Sequence, residues 1–180
     1  MSETLFLEEE HAHFVDCEKV RKMENFNLLI YLASADGNLR MLKFLIENDG
    51  DIFKRDNLGQ TILHWAVEND SESIVDYLAN KYPNLIKLKC YYGYTPCHKA
   101  AKRGSIKIIQ LLLEKDLSML DSQDNDGNTM LHLATKSGHT QLIKYLVGKN
   151  ANSDIKNEKG KRPFDIAVQN KYKDALNILY

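Results

Sequence analysis

The chain has 180 residues, 43% hydrophobic and 27% charged, with a formal net charge of −1. That composition is globular rather than disordered and allows one ordinary domain or about five short repeats. No run is apolar enough to span a bilayer, and Cys17, Cys90 and Cys97 are too few and scattered for a disulfide framework.

Residues 1–23 form an acidic opening segment. Within 1–20, six acids stand against Lys19 alone, which is unlike the basic start of a targeting signal. The expected location is therefore inside a cell, in cytoplasm or nucleus, although signal-independent export would leave the same sequence. Leu5, Phe6, His13, Phe14, Cys17 and Val20 predict one helix capping the first unit; a loose arm that binds a partner is the alternative. His11 and His13, beside Glu8, Glu9 and Glu10, are two residues apart and do not face one way on a helix. No metal-site spacing is present, and neither a metal nor any other cofactor is expected.

From residue 24 onward the apolar spacing predicts pairs of short helices. The first unit (24–55) runs Leu28 to Ala35, a turn at Asp36-Gly37-Asn38, then Leu39, Met41, Leu42, Phe44, Leu45 and Ile46. In the second (56–89), Thr61 caps Ile62, Leu63, Ala66 and Val67, with its hydroxyl expected to accept the His64 amide. A break at Glu68–Ser71 then leads to Ile74, Val75, Tyr77 and Leu78. In the third (90–123), Thr95 caps, Pro96 takes the first helical position, Gly104 turns the chain, and Ile106 to Leu113 form the second helix. The fourth (124–156) repeats this with Thr129 to Ser137, Gly138, and Leu142 to Val147; the fifth (157–180) runs Pro163 to Val168, a turn at Asn170, and Ala175 to Leu179.

The units share a signature. GQTILHWA, GYTPCHKA and GNTMLHLA begin at Gly59, Gly93 and Gly127, 34 residues apart, and GKRPFDIA follows 33 residues later at Gly160. Such a period marks a stacked-repeat protein rather than a domain with one central core. Ala33, Ala66, Ala100, Ala134 and Ala167 fall in one column, where a small side chain lets helices approach closely. Each helix pair hides its apolar face only by stacking.

The signature resembles that of the ankyrin repeat over roughly residues 24–180. The resemblance implies an all-α repeat solenoid of β-turn–helix–turn–helix units with an N-terminal capping helix. It also implies a non-catalytic role, in which turn fingers and first helices line a concave groove that binds another protein. The terminal units depart from the pattern: Tyr31 stands for the histidine in the first, and Arg162 and Asp165 stand for threonine and histidine in the last. The links Lys81–Lys89 and Asp116–Asp121 are longer than usual and are expected to displace neighbouring fingers.

Carried onto this chain, the family's groove positions are Arg55, Asn57, Leu58, Gln60, Glu68 and Asn69 in the second unit. In the third they are Lys89, Tyr91, Tyr92, Tyr94, Lys102 and Arg103. They are Gln123, Asn125, Asp126, Asn128, Lys136 and Ser137 in the fourth, and Lys156, Glu158, Lys159, Lys161, Gln169 and Asn170 in the fifth. The contact set expected from these is Leu58, Trp65, Lys89, Tyr91, Tyr92, Tyr94, Lys102, Arg103, Asn128 and Lys136. Tyrosine and arginine are enriched among binding hot spots, which lie centrally, so the third unit stands out. Packing against the 81–89 link is the other reading for the tyrosines, and inter-repeat packing the other reading for Trp65.

Residues 81–115 carry eight bases against Glu114 alone. Lys87, Lys89, Lys99, Lys102, Arg103 and Lys107 favour an acidic partner. Nucleic acid is disfavoured by the net charge and the lack of any recognised module. The N-terminal acids are an alternative occupant, in the same molecule or another, which would make the chain a self-associating scaffold or complex subunit. Otherwise it acts as an inhibitor or host-pathway effector, a role the Asn- and Lys-rich, Pro-poor composition fits. Thr61, His64, Thr95, His98, Thr129 and His132 recur with the period and read as structural. With no convergent nucleophile and base, no enzyme is expected.

Overall fold

The computed structural model describes residues 26–180. The expected capping helix, and the histidines and cysteine within it, lie outside them. Among the described residues ten α-helices follow as five pairs: α1 (Phe26–Ala35) and α2 (Leu39–Glu47), α3 (Ile62–Glu68) and α4 (Glu72–Lys81), α5 (Pro96–Arg103) and α6 (Ile106–Lys115), α7 (Met130–Lys136) and α8 (Thr140–Gly148), α9 (Pro163–Asn170) and α10 (Lys173–Leu179). The first helices stack α1 on α3 on α5 on α7 on α9, and α4, α6, α8 and α10 stack in a second row. There is no strand among the described residues.

The apolar stripes read from the sequence face this stack. Ile62, Leu63, Ala66 and Val67 of α3 are fully buried, as are Ile74, Val75 and Leu78 of α4 and Ile108, Ile109 and Leu112 of α6. The alanine column is buried in every unit, so only a methyl separates successive inner helices. The two long links are packed turns rather than displaced loops. Pro83–Lys87 forms a 3₁₀ helix that buries Leu85 and Ile86 completely, because two adjacent apolar residues need cover. Leu117–Met119 forms another, opened by Asp116, whose carboxylate accepts from the Ser118 N–H at 3.1 Å and hydroxyl at 2.6 Å.

The recurring threonine and histidine make one repeated device. The backbone N–H of Thr61, Thr95 and Thr129 donates to Nδ1 of His64, His98 and His132, each at 3.2 Å. The threonine hydroxyls lie 2.8–2.9 Å from the same nitrogens. Nε2 faces a backbone carbonyl further along the chain: Tyr94 at 2.8 Å, Ser122 at 3.0 Å and Lys161 at 3.0 Å. A carbonyl only accepts, so Nε2 carries the proton and Nδ1 is the acceptor in a neutral ring. The expected cap, threonine hydroxyl to histidine amide, is long at Thr95 and Thr129 (3.4 and 3.5 Å) and is not made at Thr61. The hydroxyl instead donates its hydrogen bond to the imidazole Nδ1.

The fifth unit replaces this device. The Arg162 N–H donates to Asp165 Oδ2 at 2.9 Å, and the guanidinium closes on the same carboxylate at 3.3 Å. That arrangement is satisfied within the unit and needs no carbonyl beyond it. The turn here also differs by one residue from the expectation at Asn170: Lys171 holds the left-handed conformation, φ 58°, that Gly104 and Gly138 supply elsewhere.

Two outcomes follow. Burial depresses all three histidines, His64 from 6.5 to about 4. A group that is neutral when folded and readily protonated when unfolded stabilises fully above pH ~6.5 and loses that contribution as pH falls toward ~4. For His64 the full loss is about 3 kcal/mol, so Tm should hold from pH 8 to 6.5 and already fall between pH 6.5 and about 5.5, above the pH ~4 range in which free carboxylates take up protons; a flat profile there refutes it. Lys171→Gly should stabilise by about 1 kcal/mol by relieving the left-handed strain, read as a higher urea midpoint at unchanged m.

Candidate functional site

Each finger is a four-residue turn closed by backbone bonds, such as Gly59 N–H to Asp56 O at 2.9 Å. In the second, fourth and fifth fingers the first residue clamps the interior. Asp56 Oδ1 accepts the amides of Leu58 and Gln60 at 2.9 and 2.8 Å, and Asp124 Oδ1 those of Asp126 and Asn128 at 2.9 and 2.8 Å. Asn157 Oδ1 accepts from Lys159 and Lys161, both at 3.0 Å. Burial would raise the Asp56 carboxyl, but bonds from Gln60, the Trp65 indole and Leu58 outweigh it and hold the pKa below the usual range.

Neighbouring fingers are tied edge to edge. The N–H of Tyr91 donates to Leu58 O at 3.0 Å, that of Asn125 to Tyr92 O at 3.3 Å, and that of Glu158 to Asp126 O at 2.9 Å. The fingers lie so close that a Cβ on Gly93 (φ +75°) would stand 2.5 Å from the Asn125 nitrogen. One residue column adds a side-chain ladder. Arg55 Nη1 donates to Lys89 O at 2.6 Å, Lys89 Nζ to Gln123 O at 2.8 Å, and Gln123 Nε2 to Lys156 O at 3.5 Å.

These ties change the contact set read from the sequence. Lys89 is a rung of the ladder. Asn128 is 8% exposed and its amide is fully engaged, donating to Asp124 and accepting from Asn157 at 2.9 Å, so it presents nothing at the surface. Trp65 is half-buried, with Nε1–H on Asp56 Oδ2 at 2.9 Å and its ring 5.8 Å from Tyr31. It thus takes part in the packing between the first and second units. The basic cluster shrinks in the same way: Lys99 pairs with Glu68 at 3.0 Å, Lys87 with Asp116 at 2.9 Å, and Lys107 with Glu72. Those charges hold the third unit to its surroundings.

What stays on the surface is compact. Tyr91 is 68% exposed, Tyr92 61% and Leu58 46%, and Lys102, Arg103 and Lys136 are exposed at the ends of α5 and α7. Tyr91 leans on the adjacent finger, where a Cβ at Gly59 would meet its ring at 2.7 Å. An aromatic run descends from Tyr92 to half-buried Tyr94 (6.3 Å between centroids) and on to buried His98 (6.2 Å), with Lys102 Nζ 6.0 Å from the Tyr94 ring. Tyr94 thus packs on His98, while Tyr92 is open to solvent. The clamps and the ladder went unread in the sequence. A usable signal was there, since Asp56, Asp124 and Asn157 each stand three residues before a signature glycine.

Among the described residues, no group of three or more His, Cys, Asp or Glu is placed to hold a metal ion, and no helix is long and apolar enough to cross a membrane. Cys90 and Cys97 are buried, and burial pushes the Cys97 thiol up to about 12. A family model described as ankyrin repeats in three copies matches residues 5–87 and 29–121, and a model of many ankyrin repeats matches residues 97–147. The chain belongs to the ankyrin-repeat family. No curated protein matches it. The ankyrin match begins at residue 5, upstream of the boundary at 24 read from the sequence. Membership supports the general role of a non-catalytic, protein-binding ankyrin scaffold and names no partner.

The division between ladder and surface separates two lysine-sized changes. Lys89→Met should destabilise by about 0.5–1.5 kcal/mol through the lost bond to Gln123, whereas Arg103→Met, with no bond to break among the described residues, should stay within about 0.5 kcal/mol. Urea unfolding of both variants reads this directly, and the reverse ranking would overturn the assignment.

Proposed function

We propose that the concave face centred on the third unit binds a partner protein, with Tyr92, Tyr91 and Leu58 as its apolar anchor. Lys102, Arg103 and Lys136 meet an acidic stretch of that partner. One observation carries the reading: while inter-unit bonds and ion pairs engage Trp65, Lys87, Lys89, Lys99 and Lys107, the exposed Tyr91 and Tyr92 stand beside Arg103, Lys136 and Lys102, whose ammonium lies over the Tyr94 ring, at the middle of the row. A helix C-terminus favours a cation at each of these places without any partner. It gives no reason for two tyrosines to stand more than half exposed beside them. Tyrosine offers a large rigid contact with a polar tip, and central arginine is a frequent hot spot. Such a face works by occupancy, as an inhibitor or effector would, and requires no chemistry on the bound protein.

Affinity capture from a cell lysate tests the proposal. The wild type and an outer-helix control, Lys144→Glu, should recover the same partner, while Tyr92→Ala/Arg103→Glu should lose it. Truncation of Tyr92 alone should weaken binding by about 1–4 kcal/mol. Recovery of the same proteins in equal yield by the double variant would remove the concave face from consideration.

A further inference from the structure

The third finger is built unlike its neighbours. In the second, fourth and fifth fingers one Asp or Asn oxygen accepts two finger amides at 2.8–3.0 Å. Cys90 occupies that place in the third. Among the described residues no side chain accepts the N–H of Tyr92 or Tyr94. A thiol is a weak acceptor and a carboxylate a strong one, so the substitution removes the interior clamp and leaves the turn. Cys90 N–H still donates to Tyr94 O at 2.9 Å, and Gly93 N–H to Cys90 O at 2.9 Å.

What holds this finger comes from outside it. Leu58 O takes the Tyr91 amide, Asn125 Nδ2 donates to Tyr91 O at 2.8 Å, and the Asn125 N–H reaches Tyr92 O at a long 3.3 Å. The restraint is therefore strong at Tyr91 and at the Tyr94 carbonyl, which accepts from His64 Nε2–H at 2.8 Å and from Cys90 N–H at 2.9 Å, and weak at Tyr92, whose ring leads through Tyr94 toward His98. We propose that the third finger is the deformable element of the concave face: a partner is taken up by rearrangement of Tyr92 beside an anchored Tyr94, while the second and fourth fingers stay fixed. Cys90 is the residue that sets this, acting through the finger rather than touching the partner. The functional half rests on the binding face proposed above; the mechanical half is a property of the free protein.

Amide hydrogen exchange on the full chain, followed residue by residue without any partner, tests it. The Tyr92 and Tyr94 amides should exchange about ten-fold faster than those of Leu58, Gln60, Asp126 and Asn128, the effect of one net hydrogen bond. Cys90→Asp should slow them to their neighbours' rates. The site admits that change, since Asp124 is 6% exposed in the equivalent place and Cys90 5%. Cys90→Ala should leave the rates as they are. Equal protection of all three fingers in the wild type overturns the proposal, and so does faster exchange in Cys90→Ala, which would make the sulfur a clamp. If Cys90→Asp does not fold, the wild-type comparison decides alone. Since no partner is present, failure here leaves the binding face standing, and failure of the lysate capture leaves this result standing.

Discussion

The stack depends on a neutral imidazole buried at the start of an inner helix. In three successive units its Nδ1 accepts the threonine N–H and its Nε2–H donates to a carbonyl further on. The ring thus closes its own helix start and reaches the segment that follows with one side chain. No other residue type offers an acceptor and a donor on opposite edges of a rigid plane at this size. Complete burial makes the ring's charge state decisive, because a proton on Nδ1 would face the threonine N–H it now accepts.

The remaining polar groups are organised around that device. Fingers are joined by single backbone bonds, by the Arg55–Lys89–Gln123 ladder and by ion pairs flanking the third unit. Exposed pairs of this kind stabilise little individually, on the order of 0–1 kcal/mol. Their larger effect is positional, since each fixes a base that would otherwise belong to the open surface. In the binding face proposed above, the cations offered to a partner are those that stability leaves over. Lys102, Arg103 and Lys136 are such residues, and Tyr92 is their counterpart among the aromatics.

The first and fifth units build their helix starts without this device. Arg162 and Asp165 satisfy each other inside the fifth unit, so its helix start needs no carbonyl from a sixth. Tyr31, in the first unit, packs on Trp65 instead of bridging onward, and its buried hydroxyl is pushed up to about 12 chiefly by desolvation. Both substitutions stand in the sequence as departures from the repeat. Only their surroundings disclose that one is a closed polar pair and the other an aromatic contact.

The 34-residue period by itself determined the architecture. Local apolar spacing, the capping threonines and the turn glycines agree in every unit, and each repeat packs only on its neighbours, so knowledge of one pair predicts the rest. It also marked His64, His98 and His132 as structural, and the third unit as the exceptional one. The tertiary structure decided which exceptional residues are available. Lys89 and Arg103, or Asn128 and Lys136, are all polar residues at expected groove positions of their units. They differ in whether a carbonyl or amide of the next unit lies within 3 Å or so of the side chain, and that distance is set by the stacking of helices about thirty residues apart in the chain, which no local pattern encodes.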